Sequence, residues 1–225
     1  SVATVSSDGL VTAVATGSAT ITAASGSASG SASETVTQVA SSVTLSPASL
    51  SLGSIGATAT LTPTVTDSLG ATIPGAAVTW TTSAASVATV SSSGLVTAVG
   101  NGTATITVTS GAASATATTT VTQVASSVIL SPTSLSFSSL ADTATLVATV
   151  KDAGGSAISG ATVTWSSSDT DIATVSAAGL VTAISNGTAT ITATSGPVSA
   201  TATTTVTQVA SSVTLSPTSL SFASL

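Results

Sequence analysis

The nine residues Thr-Val-Thr-Gln-Val-Ala-Ser-Ser-Val stand at 35–43, at 120–128 and at 205–213 without a single change, so the interval is 85 residues both times. Other landmarks keep the same step: Trp80 and Trp165, the prolines Pro47, Pro132 and Pro217, and the runs that start at Ser1, Ser86 and Asp171. A fixed period without insertions is the mark of a tandem array, and it forbids any fold whose core is drawn from the whole chain at once. The sequence divides into two complete units, 40–124 and 125–209. The closing part of an earlier unit, 1–39, precedes them, and the opening strand or strands of a later one, 210–225, follow. Ser1 falls in mid-pattern, which reads as a window cut from a longer array.

Within one unit the apolar residues alternate with period two, the signature of strands half buried on one face. In 125–209, Ala144, Leu146, Ala148 and Val150 share a face against Thr145, Val147 and Thr149. The run Thr188–Thr194 sets Ala189, Ile191 and Ala193 inward, and Ala200, Ala202, Thr204 and Val206 continue in the same way. Threonine is β-branched and suits a pleated surface, so composition and period agree. Glycine-containing turns separate the runs at 152–160, 177–179, 185–187 and 195–198. Asn101–Gly102 and Asn186–Gly187 read as two-residue hairpin turns, whose positive φ values Asn and Gly tolerate. About seven short strands per 85 residues and no helical stretch predict tandem all-β sandwiches of immunoglobulin type with antiparallel strands.

The order of motifs resembles the bacterial immunoglobulin-like domain, group 2: a Thr-Trp strand at Trp80 or Trp165, an Ala-Thr-Val strand, the Gly-Leu-Val-Thr-Ala hairpin, and the Gly-Thr-Ala-Thr-Ile-Thr strand from Gly102 or Gly187. The resemblance covers both full repeats and both fragments as far as they run. It implies an immunoglobulin-like fold and an extracellular setting on a bacterial surface, the family occurring in intimin- and invasin-like adhesins, surface-layer proteins and phage tail proteins. Fold alone does not choose among such jobs.

Composition removes whole classes of chemistry. The chain has no Cys and no His, so neither a Ser-His-acid nor a Cys-His nucleophile can be built, and disulfides and thiolate metal sites are absent. A Ser-Lys pair could use only Lys151, which reads as a solvated charge beside Asp152 at a turn. The expectation is no enzyme and no cofactor. Asp169 and Asp171 form too sparse a set for calcium, which takes six to eight oxygens, and the other repeat has Ala84 and Ser86 there. Trp80 and Trp165 alternate with Val78 and Val163 on an inward face and read as core aromatics. One Lys against seven acids gives a net charge of −6, too thinly spread to hold nucleic acid. Hydrophobic residues reach 42%, yet Ser and Thr break every run well short of the roughly 20 residues of a membrane helix.

The repeated nonapeptide falls where one unit ends and the next begins. Gln38, Val39 and Ala40, then Gln123, Val124 and Ala125, then Gln208, Val209 and Ala210 form the inter-repeat junction, with no Gly or Pro and no carboxylate in the stretch itself. A short junction without Gly or Ser-Gly runs is stiffer than a flexible linker, and copies of one joint repeat one rotation and translation. Strands of about ten residues would make each repeat roughly 35 Å long. Charged residues are only 4% of the chain, which leaves Thr-rich sheets uncovered and predicts self-association into a homopolymer or a coat of O-linked sugars. The expected role is a stiff extracellular fibre, sheath or filament; the alternatives are the stalk of an adhesin whose tip lies outside this segment, or phage tail decoration.

Overall fold

The computed structural model describes residues 1–222. Every regular element among them is a strand. Residues 1–36 form two hairpins: β1 (Ala3–Val5) pairs with β2 (Val11–Ala13), and β3 (Gly17–Ser25) pairs with β4 (Ala28–Val36).

The repeat 40–124 contributes β5 (Ser42–Ser46), β6 (Ser49–Leu52), β7 (Thr58–Thr60), β8 (Thr62–Thr66), β9 (Thr79–Thr82), β10 (Ala88–Val90), β11 (Leu95–Ala98), β12 (Gly102–Ser110) and β13 (Ala113–Val121). The repeat 125–209 copies that list 85 residues later as β14 (Ser127–Ser131), β15 (Ser134–Phe137), β16 (Thr143–Thr145), β17 (Val147–Lys151), β18 (Thr164–Ser167), β19 (Ala173–Val175), β20 (Leu180–Ala183), β21 (Gly187–Ser195) and β22 (Val198–Val206).

The topology is an immunoglobulin-type sandwich in both. In the second, one sheet runs β15-β22-β21-β18, and the opposing layer holds β16-β20-β19 and the pair β14-β17. Nine strands appear where about seven antiparallel ones are expected, for two reasons. The first strand breaks at Pro132, which has no N–H to donate to a ladder; its second half, β15, then runs parallel to β22, with Phe137 opposite Val206. The second strand breaks at Leu146, so that β16 pairs with β20 and β17 with β14. Leu146 points inward at the break, and its N–H donates to the Gly179 carbonyl at 2.9 Å.

Alternation delivers the core. Ala189, Ile191 and Ala193 are buried, as are their counterparts Ala104, Ile106 and Val108. Around Ile191 close Leu135, Phe137, Leu146, Val150 and Val181. Each such side chain contributes about 1.5–3 kcal/mol by leaving water. In β3 the same face is open: Ile21 is only half-buried and Ala23 is exposed.

The described chain clusters into two compact units. The first takes in Ser1–Leu52 and Gly56–Val121; the second takes in Gly53–Ile55 and all that follows from Thr122. Residues 210–222 form no strand, and Val213, Leu215, Leu220 and Phe222 are exposed. In the repeats the same sequence pairs as β5 with β8 and as β14 with β17. The remainder of that segment, 223–225, lies outside the described residues.

Candidate functional site: the inter-repeat junction

The junctions are the five-residue segments 37–41 and 122–126, which lie between strands. Backbone contacts pin their far ends: Ser41 N–H donates to the Thr66 carbonyl, and Ser126 N–H to the Lys151 carbonyl, both at 2.8 Å. Ala40 and Ala125 turn inward and pack against the cores of the repeats they open. Val39 and Val124, one residue earlier, stay exposed.

The glutamines supply the specific contact. Gln38 Nε2 donates to Asp67 Oδ2 at 3.0 Å, and Gln123 Nε2 donates to Asp152 Oδ2 at 2.8 Å, each pair 29 residues apart in sequence. The junction stretch carries no carboxylate of its own. Folding brings one in from the turn after β8 and from the turn after β17.

Each aspartate organises that turn. Asp67 Oδ1 accepts the N–H groups of Leu69 and Ala71, and Asp152 Oδ1 accepts that of Ser156. The main chain closes both loops with Gly70 N–H on the Asp67 carbonyl and Gly155 N–H on the Asp152 carbonyl. Gly70 and Gly155 hold φ near +82° and +81°, where a side chain would be strained. Asp152 is only 3% exposed. The N–H of Ile55 also donates to Asp152 Oδ2, at 2.9 Å.

The Gln123 hydrogen bond is the largest influence holding the Asp152 carboxyl below its ordinary value, with backbone N–H donors adding to it and burial opposing. Gln38 does the same for Asp67. Both groups are anionic at neutral pH, which makes these bonds charge-assisted and stronger than neutral ones. At the third copy Gln208 is exposed, and its N–H donates to Asn186 Oδ1 at 2.8 Å.

The other sequence candidates fall elsewhere. Trp80 and Trp165 are half-buried and lie against the core clusters. Each also roofs a hairpin glycine: a Cβ on Gly94 would meet Trp80 Cζ2 at 2.9 Å and the Leu61 carbonyl at 2.4 Å, and Gly179 stands likewise under Trp165. Asn101–Gly102 and Asn186–Gly187 are not hairpin turns. They carry the chain from β11 to β12 and from β20 to β21, strands that belong to different sheets. The glycines are needed there because Val87 and Ile172 press on them, a Cβ standing 2.9 and 2.6 Å away. Two-residue hairpins among the described residues are Gly26–Ser27, Gly111–Ala112 and Gly196–Pro197, inside the Ser25↔Ala28, Ser110↔Ala113 and Ser195↔Val198 registers.

Lys151 ends β17 opposite Ser127. Asp169 Oδ1 accepts the Asp171 N–H at 3.0 Å, a local turn contact. Among the described residues no cluster of three or more metal-ligating side chains occurs, and no helix is long and apolar enough to cross a membrane. A cleft of about 620 Å³ opens beside Asp67 in the first unit, lined by Val14, Thr16, Val39 and Leu69 among others. It offers apolar surface and one carboxylate already engaged by Gln38.

A two-sheet sandwich copied in tandem, joined through an identical linker, defines an array of immunoglobulin-like modules. The chain belongs to the bacterial Ig-like domain (group 2) family, whose model matches residues 1–36, 39–121 and 124–206. Among solved structures, it is similar to domains 1–6 of the surface layer protein SbsC, at 20% identity over 92% of this chain, TM-score 0.38. It is also similar to invasin, a bacterial integrin-binding protein, at 20% identity over 88%, TM-score 0.42, and to the Escherichia coli adhesin FdeC at 20% over 78%, TM-score 0.41. The chain spans 37% of the SbsC structure, 47% of invasin and 68% of FdeC. A comparison with curated protein sequences finds no match.

Proposed function

We propose that this chain is a length of non-enzymatic extracellular scaffold, in which immunoglobulin-like modules are held in series by stiff joints to build a bacterial surface fibre or sheath. The observation that carries this reading is the repeated Gln-to-Asp hydrogen bond, made at the first two of the three copies of the linker at the same sequence spacing. A flexible tether needs no such contact, because solvated Gly-Ser chain serves as well. A charge-assisted bond adjoining an inward-packed alanine ties the linker to the repeat it opens.

Self-association follows from the surface. With 4% charged residues, Thr- and Ser-covered sheets carry little of the charge that ordinarily keeps sheet edges apart. O-linked sugars on the exposed hydroxyls are the other way to cover that surface.

Electron microscopy of the native material with measurement of mass per unit length tests the reading. A fibre shows several chains side by side at regular spacing. Single-module-wide rods ending in a distinct head would replace it with the adhesin stalk, and chains bending freely at every junction would remove the scaffold altogether.

A further inference from the structure

The chain enters and leaves each complete repeat on neighbouring strands that run the same way. In 125–209 the entering strand β15 lies parallel to the last strand, β22, from Ser134↔Thr203 to Phe137↔Val206; in 40–124, β6 lies parallel to β13 from Ser49↔Thr118 to Leu52↔Val121. Bonds beyond the strands lengthen both ladders. Thr203 N–H donates to the Thr133 carbonyl at 3.1 Å, Thr207 N–H to that of Phe137 at 2.9 Å and Val209 N–H to that of Ser138 at 3.1 Å. In the first repeat Thr118 N–H donates to the Ala48 carbonyl at 3.1 Å and Val124 N–H to that of Gly53 at 2.9 Å. Val124 and Val209 belong to the repeated nonapeptide, so the ladder runs on into the linker.

Direction decides how such a ladder meets tension. A pull on the two ends of the chain draws β15 back through its N-terminus and β22 forward through its C-terminus. Because the strands are parallel, these forces oppose each other along the strand axis, and the evenly spaced bonds are sheared together. An antiparallel hairpin pulled open at its ends yields one bond at a time. The break at Pro132 adds a second hold. Upstream of it β14 pairs with β17 in the opposing layer, from Ser127↔Lys151 to Ser131↔Val147, so the entering chain is bonded to both sheets. Leu135 and Phe137 are buried on the inward side of β15, which keeps water on that side from replacing a bond as it stretches.

We propose that each complete repeat is a mechanical element closed by a shear clamp of its parallel terminal strands, and that a further function of the chain is to carry tension along the array without unfolding. The inference stands on the topology of the two complete repeats and holds for a fibre and for a stalk alike, so microscopy that replaced one by the other would leave it standing.

The test is single-molecule force spectroscopy on the full 225-residue chain held by its two ends, together with urea unfolding of the same proteins. The variants are Thr203→Pro and Thr207→Pro, each removing one donor from the second ladder, and Val181→Ala in the opposing layer. All three leave the first repeat intact as an internal reference. The parent shows one unfolding event for each complete repeat. Thr203→Pro moves one of the two: at a fixed load that repeat unfolds roughly tenfold faster, and in Thr207→Pro by a smaller factor. Val181→Ala opens space in the core and lowers the urea midpoint at least as far as Thr207→Pro, yet changes the fixed-load rate by no more than about twofold. Should Thr203→Pro prevent folding, Thr207→Pro decides. A fixed-load rate that follows urea stability alone across the variants, or one that Thr207→Pro leaves unchanged, overturns the proposal.

Discussion

Two threonines show how closely the cores are filled and where they are not optimal. Thr119 and Thr204 are fully buried, and neither Oγ1 finds a hydrogen-bond partner. A buried hydroxyl without a partner loses its water at a cost of about 1–3 kcal/mol. Thr204→Val keeps the shape and removes the orphan, so it should stabilise the chain by about 1 kcal/mol in urea unfolding. Thr203→Val on the solvent face should stay within about 0.5 kcal/mol of the parent. A loss of stability in Thr204→Val would mean that the hydroxyl is satisfied in solution. Ala141 offers a second residue-level case, for it sits at φ 65° where the other repeat has Gly56 at φ 81°. The left-handed region costs a side chain about 1–2 kcal/mol, offset in part by the extra freedom glycine has when unfolded, about 0.5–1 kcal/mol. Ala141→Gly should therefore raise thermal stability by about 0.5 kcal/mol, checked by the melting temperature of the full chain.

Strands were legible from alternation because one buried face leaves a period of two, and the inward set Ala189, Ile191, Ala193 is buried as that period requires. The breaks at Pro132 and Leu146 were not, since a strand that changes sheets keeps its alternation while changing partners. Asn186–Gly187 misled for a related reason: a glycine wanted for close packing on Ile172 is written with the same letters as one wanted for a tight hairpin. The linker was legible as a linker through its repetition, yet Asp67 and Asp152 were invisible as its partners, because nothing local links a glutamine to a turn 29 residues on. That partnership carries a pH signature. Asp152 is depressed below the ordinary carboxylate value, Gln123 being the main cause, so its contribution is fully present above the unfolded value and is lost as pH falls through the folded one. Ile55 amide protection should accordingly hold from neutral pH down to the ordinary carboxylate range and fall away only below it. Asp152→Asn, which swaps one acceptor for a donor, should lower that protection at every pH and abolish the acid step. Protection that declines with the same midpoint in Asp152→Asn would assign the step to another group.

At the scale of the molecule, a repeat in sequence and a unit in space do not coincide. The second compact unit begins at Thr122 and also takes in Gly53–Ile55, so the sandwich 125–209 is completed by residues that the 85-residue period assigns to its neighbour. A piece spanning 125–209 alone lacks Gln123 and Ile55, the two donors to Asp152 Oδ2, and leaves a carboxylate that is 3% exposed in the intact chain without them. It also has no disulfide to fall back on, and a domain of this size buries only about two-thirds of its unfolded surface. The piece should melt a few degrees below the same sandwich within the 225-residue chain, where a change of about 1 kcal/mol moves the midpoint by some 4–8 °C in a domain of this size. Differential scanning calorimetry of the two, at neutral pH and equal molar concentration, measures the gap. The gap should shrink at acid pH, where the carboxylate no longer needs its donors. Equal midpoints at neutral pH would mean that each sandwich is self-sufficient and that the junction contacts contribute orientation alone.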